Sequence, residues 1–251
     1  MRLILSSNKN KNYIPYWPYV AAAWNKLFNI TPTLAFVDND VSDINEYRKH
    51  GEVVHIKPVD NIPIGNQAKI ARLFLAAQYN ELCIINDIDL LPLQNKYLND
   101  LLSQKPINHL LCVGGDVYNN TDDKGKFPMG YLSGESSIFK SFVKTDNFSE
   151  FIKKFIGLKV FDNKEDITNT IPIGHADCFS DESALRVLLY ENKTKVFNVN
   201  RGWENYTDRA ICRTNWKWTK EELNNNKFIE CHMPHPFSYE KIKPLLDWLN
   251  I

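Results

Sequence analysis

The chain has 251 residues, 43% of them hydrophobic, enough to build one large domain around its own core. Thirty Lys and Arg balance 30 Asp and Glu, so the net charge is zero and there is no overall basic footprint for nucleic acid. Five cysteines, an odd number without a Cys-x-x-Cys pair, argue for a reducing compartment and against a disulfide framework or a zinc site. With no apolar leader and no long apolar run, a cytoplasmic location is expected.

Leu3-Ile4-Leu5 is a short apolar run ending in Ser6-Ser7-Asn8 and reads as a first strand. Tyr16 to Phe28 follows as a helix, with Pro15 and Pro18 near its start. Thr33 to Val37 and Glu52 to Ile56 predict two more strands, the first running into Asp38-Asn39-Asp40. Asn66 to Gln78 has the period of an amphipathic helix: Ile70, Leu73, Phe74 and Ala77 line one face, and Lys69, Arg72 and Ala76 a neighbouring one. Leu82 to Ile85 predicts a buried strand, Asn95 to Ser103 a helix, and His109 to Val113 another strand. The alternation predicts an α/β sheet with helices on its faces.

The remainder is less regular. Val117 to Gly130 and Asp162 to Gly174 read as polar loops, Tyr131 to Ile138 as a strand and Asn147 to Phe155 as a helix. Asp181 to Tyr190 is a helix with Leu185, Leu188 and Leu189 inward. Arg201 to Asn226 has few apolar repeats but holds Trp203, Trp216 and Trp218, which either stack on sugar rings or pin the segment to the core. Phe228 to Cys231 predicts a strand, and Tyr239 to Leu249 closes the chain as an amphipathic helix that packs on the sheet or touches a membrane surface. No repeat and no Gly/Ser/Pro linker divides the chain. One domain over 1–251 is expected, with 1–113 as one half and 114–251 as a loop-rich second half.

The most informative segment is Asn86-Asp87-Ile88-Asp89, directly after the apolar run Leu82 to Ile85. If the strand continues, Asp87 and Asp89 point to the same side. Ligands of open α/β sheets bind where strands run out. Two carboxylates there make an oxygen-lined site for Mg²⁺ or Mn²⁺. The competing reading is a turn, which Asn and Asp favour. In His232-Met233-Pro234-His235-Pro236 the prolines exclude a regular helix, and a neutral imidazole is able to complete a site begun by Asp89. Asp181 and Glu182 follow Ser180, where acidic residues also serve a helix N-terminus without any catalytic task.

With these residues in place the chain resembles GT-A fold glycosyltransferases, the nucleotide-sugar enzymes with an Asp-x-Asp motif. It is most similar to small single-domain members from large DNA viruses and bacteria. The resemblance is carried by Asp87-Ile88-Asp89, the helix Gln67 to Arg72, Ser133-Gly134-Glu135, the pair Asp181-Glu182 and His232. It implies a Rossmann-like, mostly parallel mixed sheet flanked by helices, with 1–113 binding the nucleotide sugar and 114–251 the acceptor. It also implies Asp89 as the main ligand of Mn²⁺ or Mg²⁺, Asp87 on the metal or the ribose, and His232 as a further ligand with His235 as runner-up. Asp38 would reach the uracil or ribose, and Ser6 and Asn8 would line the nucleotide pocket. Lys69 and Arg72 share a helical face, where Arg72 would pair with the diphosphate or an acidic site residue. Gly134 and Glu135 would contact substrate hydroxyls. Asp181, with Glu182 close behind, would be the general base of an inverting transfer.

The expected activity is metal-dependent transfer of a hexose-type sugar from a nucleoside diphosphate, UDP-sugar in first place, to a hydroxyl on a glycan. A sugar-phosphate nucleotidyltransferase is the alternative, but the stretch Ser6 to Asn10 after the first strand lacks the glycines such enzymes use for phosphate. An Asp-x-Asp phosphatase is disfavoured because its motif opens the first strand and here follows three. A non-catalytic nucleotide-sugar or glycan-binding protein remains as a third class.

Overall fold

Strand β1 (Arg2–Ser7) sends Leu3 and Leu5 into one hydrophobic core and Ile4 into another, all three fully buried. That period of two, repeated along the neighbouring strands, makes the sheet the partition between two helical layers. The structure is a computed structural model describing residues 1–116, 127–155, 159–160, 169–170, 181–200 and 208–251. Most of the two expected polar loops, and Trp203, lie outside these residues.

A single 3₁₀ turn (Ile14–Tyr16) leads into α1 (Trp17–Phe28), β2 (Thr33–Val37), the short α2 (Ile44–Tyr47) and β3 (Glu52–Ile56). Helix α3 (Ile64–Ala76) starts two residues before its expected beginning, and β4 (Leu82–Ile85) coincides with expectation. Then come β5 (Leu90–Pro92), α4 (Lys96–Gln104) and β6 (Leu110–Val113). Strand β1 pairs in parallel with β2 and β4, and β2 with β3. The carboxyl ends of these strands therefore share one edge of the sheet.

The second half departs from expectation at several places. The strand expected over Tyr131 to Ile138 ends early: β7 is Leu132–Glu135, and α5 (Ser136–Val143) begins at once. Its buried residues Ile138, Phe139, Phe142 and Val143 recur at helical spacing, which overrides a continued strand. After α6 (Phe148–Lys153) and a two-stranded ladder of β8 (Lys159–Val160) with β9 (Asn169–Thr170), α7 spans Asp181–Glu191. Strand β10 (Val196–Val199) was not foreseen and is an edge of the main sheet. The pieces β11 (Ala210–Ile211) and β12 (Glu230–His232) join β5 in a separate small sheet. Helix α8 (Lys220–Asn224) lies between them in sequence, and α9 (Tyr239–Leu249) closes the chain.

The main sheet has the order β10-β6-β7-β4-β1-β2-β3. It is parallel except at β7, which runs antiparallel to both β4 and β6. Strands β7 and β10 come from the second half of the chain but sit beside strands of the first, so the two halves share one sheet. Helices α1, α4 and α9 cover one face through residues such as Trp24, Leu101 and Leu245, and α3, α5, α6 and α7 cover the other through Ile70, Phe139, Phe151 and Leu185. The apolar face of α9 (Ile242, Leu245, Leu246, Leu249) is thus spent on the core. Among the described residues no helix is long and apolar enough to cross a membrane.

Candidate active site

Strand β4 stops at Ile85, and Asn86 to Asp89 form a turn into β5. The Leu90 N–H donates to the Asp87 carbonyl at 3.2 Å, and the buried Asn86 Oδ1 accepts from the N–H groups of Asp87 (2.9 Å) and Tyr131 (3.3 Å). The local preference of Asn and Asp for turns won over strand continuation. Both carboxylates nevertheless reach one cavity of about 790 Å³ at the carboxyl edge of β1 and β4.

Each carboxylate has its own arginine. Arg72 is buried on α3, where its Nη1 meets Asp87 Oδ1 at 2.6 Å and donates to the Asn86 carbonyl at 2.8 Å. Its Nη2 pairs with Asp181, the first residue of α7, itself buried. Burial opposes the charge on Arg72, but the carboxylates of Asp181 and Asp87 outweigh it and hold the guanidinium above its ordinary value. Of the two partners expected for Arg72, a diphosphate or an acidic side chain, the structure shows acidic ones, Asp87 and Asp181.

Asp89 is reached from the other side of the small sheet. Strand β12 runs antiparallel to β5, with His232 opposite Leu90, and the Met233 N–H donates to the Asp89 carbonyl at 2.9 Å. His235 Nε2 lies 2.8 Å from Asp89 Oδ2, and Arg213 Nη2 is 2.9 Å from the same oxygen. Burial works to raise the Asp89 carboxyl; the His235 hydrogen bond and the charges of Arg213 and His232 prevail and hold it below the usual carboxylate range. The His235 ring packs edge-on against Tyr13 at 4.6 Å and Tyr16 at 6.0 Å, and the Tyr16 hydroxyl donates to the Pro234 carbonyl.

The expected metal ligands are Asp87, Asp89 and His232. Among the described residues no group of three or more His, Cys, Asp or Glu side chains is gathered closely enough to hold a metal ion. The donor set still fits one in its chemistry. His232 Nε2 is buried without a hydrogen-bond partner, on the strand that pairs with Leu90 next to Asp89. A buried polar nitrogen left unpaired is costly. His235, the runner-up, already spends its Nε2 on Asp89 itself.

Ser6, Asn8, Lys69 and Glu182 all line the cavity. Asp38 is not among its lining residues. Its carboxylate accepts from the N–H groups of Lys9 (2.9 Å) and Asp40 (3.0 Å), tying down the loop that carries Asn8. Gly134 and Glu135 lie away from the site. Because β7 is antiparallel to β4, Gly134 sits opposite Cys83 and Glu135 opposite Leu82, at the end of β4 remote from Asp87. A Cβ on Gly134 would come within 2.9 Å of Leu110 Cδ1, so packing asks for glycine there. Trp216 and Trp218 are partly buried against the core that holds α1 and α9. Among the cavity residues that sequence reasoning missed are Tyr13 and Arg213. Arg213 sits in a stretch without periodicity, and nothing local marks it.

The sequence matches no protein-family model and no curated protein. Among solved structures, an active-site mutant of LgtC aligns over 100% of this chain and 95% of its own, at 14% identity and a TM-score of 0.51. The glycosyltransferase GlyE of Streptococcus pneumoniae TIGR4 aligns over 96% of this chain and 55% of its own, at 14% identity and a TM-score of 0.50. The fold is that of GT-A type glycosyltransferases. At such identity the likeness concerns the fold alone.

Proposed function

We propose that the chain is a glycosyltransferase that moves a hexose-type sugar from a nucleoside diphosphate, UDP in first place, to a hydroxyl of a glycan acceptor. The observation that carries this reading is the cavity in which Asp87 and Asp89 meet Lys69, Arg213, Ser6 and Asn8. It joins carboxylates suited to a divalent ion with cations suited to phosphate, in a volume typical of small-ligand sites. Kinship of fold with glycosyltransferases adds support.

Asp87, Asp89 and His232 would hold Mn²⁺ or Mg²⁺, which when bound supplies charge stabilisation for the departing diphosphate. The chain's own residues do the rest. Ser6 and Asn8 bind the nucleoside, on a loop held by Asp38. Lys69 offsets phosphate charge. Arg72 holds Asp87 and Asp181 in fixed positions. Asp181 is buried and committed to Arg72, so we assign the acceptor's proton to Glu182, which also lines the cavity. Glu182 takes the hydroxyl proton as the acceptor oxygen bonds to the anomeric carbon from the face opposite the diphosphate; the bond to the diphosphate breaks, the nucleoside diphosphate leaves, and the anomeric centre is inverted.

The test is thermal melting with UDP and UDP-sugars, with Mn²⁺ or with EDTA, followed by UDP release in the presence of hydroxyl acceptors. The expected result is a rise in Tm that EDTA removes, because a ligand that binds only the native state stabilises it. Absence of any nucleotide effect overturns the reading, and binding without transfer leaves a binding protein. A product with retained anomeric configuration removes Glu182 from its assigned role.

A further inference from the structure

We propose that Arg213 is the cation resident on Asp89 in the ligand-free protein, that a divalent ion displaces it, and that the freed guanidinium then binds the donor's diphosphate. The inference rests on the metal and nucleotide reading above. The side chain of Asp89 is only 6% exposed, and a buried carboxylate without a cation is strongly unfavourable. A neighbouring cation relieves that cost. Arg213 does so, through one nitrogen, on the oxygen that His235 also reaches.

The two partners of that oxygen differ in freedom. His235 is wedged against the rings of Tyr13 and Tyr16. Arg213 is 31% exposed, lines the cavity and stands on the turn after β11, where the Trp216 N–H closes onto the Cys212 carbonyl at 2.8 Å. A long side chain held at one point is able to re-aim without backbone movement. A divalent ion brings two positive charges to the same carboxylate and repels the guanidinium. Lys69 lines the same cavity, and the planar fork of an arginine matches two phosphate oxygens at once. The consequence is reciprocal coupling: metal frees a phosphate ligand, and diphosphate that captures Arg213 frees Asp89 for metal.

The test uses the full chain, Arg213→Met, which removes the charge and keeps an apolar stem, and Arg213→Lys as the conservative variant. Calorimetry titrates Mn²⁺ without nucleotide, then UDP at saturating Mn²⁺, and thermal melting verifies that each variant folds. Mn²⁺ alone is expected to bind Arg213→Met about tenfold more tightly than wild type, and UDP about tenfold less tightly, the scale of one charge-assisted hydrogen bond. Arg213→Lys should fall between. Unchanged or weaker Mn²⁺ binding by Arg213→Met overturns the proposal, as does unchanged UDP affinity. Should the wild type bind UDP but no Mn²⁺, both this inference and the metal assignment fall while the nucleotide reading stands. If it binds Mn²⁺ and the variants are indistinguishable from it, this inference alone falls.

Discussion

Arg72 and Lys69 stand three residues apart on α3 and have opposite fates. Arg72 is buried between Asp87 and Asp181, whereas Lys69 is exposed and faces the cavity. Arg72→Met leaves Asp181 buried without a partner, and a loss of about 3–5 kcal/mol in denaturant unfolding is expected. Lys69→Ala should stay within about 0.5 kcal/mol of wild type, as a surface change does, and weaken nucleotide binding instead. Equal stability losses for the two would show that Arg72 is not the buried clamp. Cysteine chemistry sorts in the same way. Burial pushes the thiols of Cys83 and Cys112 up to about 12, while the hydrogen bond with Thr214 holds that of the partly exposed Cys212 below its ordinary value. The thiolate is the reactive form. Brief alkylation with iodoacetamide and peptide mapping should therefore find Cys212 modified ahead of Cys83, Cys112 and Cys231.

At the scale of elements, Gly134 tests whether β7 has a packing or a binding role, and Gly51, directly before β3, is the packing comparison. Gly134→Ala places a methyl 2.9 Å from Leu110 Cδ1, and Gly51→Ala places one 2.5 Å from the Pro32 carbonyl oxygen and 2.8 Å from the Trp17 ring. A side-chain methyl yields more readily than a backbone carbonyl. The expected cost is about 1 kcal/mol at Gly134 and about 2–3 kcal/mol at Gly51, with nucleotide affinity unchanged in both. A Gly134→Ala protein of normal stability that has lost donor or acceptor binding would return that residue to the site. The elements themselves were legible where they are long and periodic. Strands β2 and β4 and helix α9 fall where their patterns place them. Strand β12, at Glu230–His232, overlaps the strand expected over Phe228 to Cys231, whereas β5, β10 and β11 carry no pattern of their own and are held by their neighbours in the sheets.

Across the whole molecule the two edges of the sheet do different work. At the amino edge, Arg2 joins Glu52 and Glu81 and lies over the Tyr79 ring at 3.8 Å, stitching β1, β3 and the approach to β4. At the carboxyl edge lie Asp87 and Asp89. Glu81 bonds the N-terminal ammonium and Arg2, which together hold its carboxyl below the usual range. A carboxyl depressed in the folded state adds stability that is present above its unfolded pKa and lost as pH falls through the folded one. Stability of the wild type should therefore drop more steeply than that of Glu81→Gln as pH falls below about 4.5. Parallel pH profiles in denaturant titrations would contradict this.

What the sequence by itself determined is local: the alternation of strand and helix, the two-sided apolar strands, the acidic turn at the end of β4 and the charged face of α3. Each is written in spacing over a few residues. Only the tertiary structure decided which distant groups meet that turn. Antiparallel entry of β7 carried Gly134 and Glu135 to the far edge, while pairing of β12 with β5 brought His232 and His235 towards Asp89 and pairing of β11 with β12 brought Arg213. The reason is physical. Asp89 and His235 are 146 positions apart, and Arg72 and Asp181 are 109. Such meetings depend on strand order and direction, which the packing of the whole chain selects and no local pattern encodes.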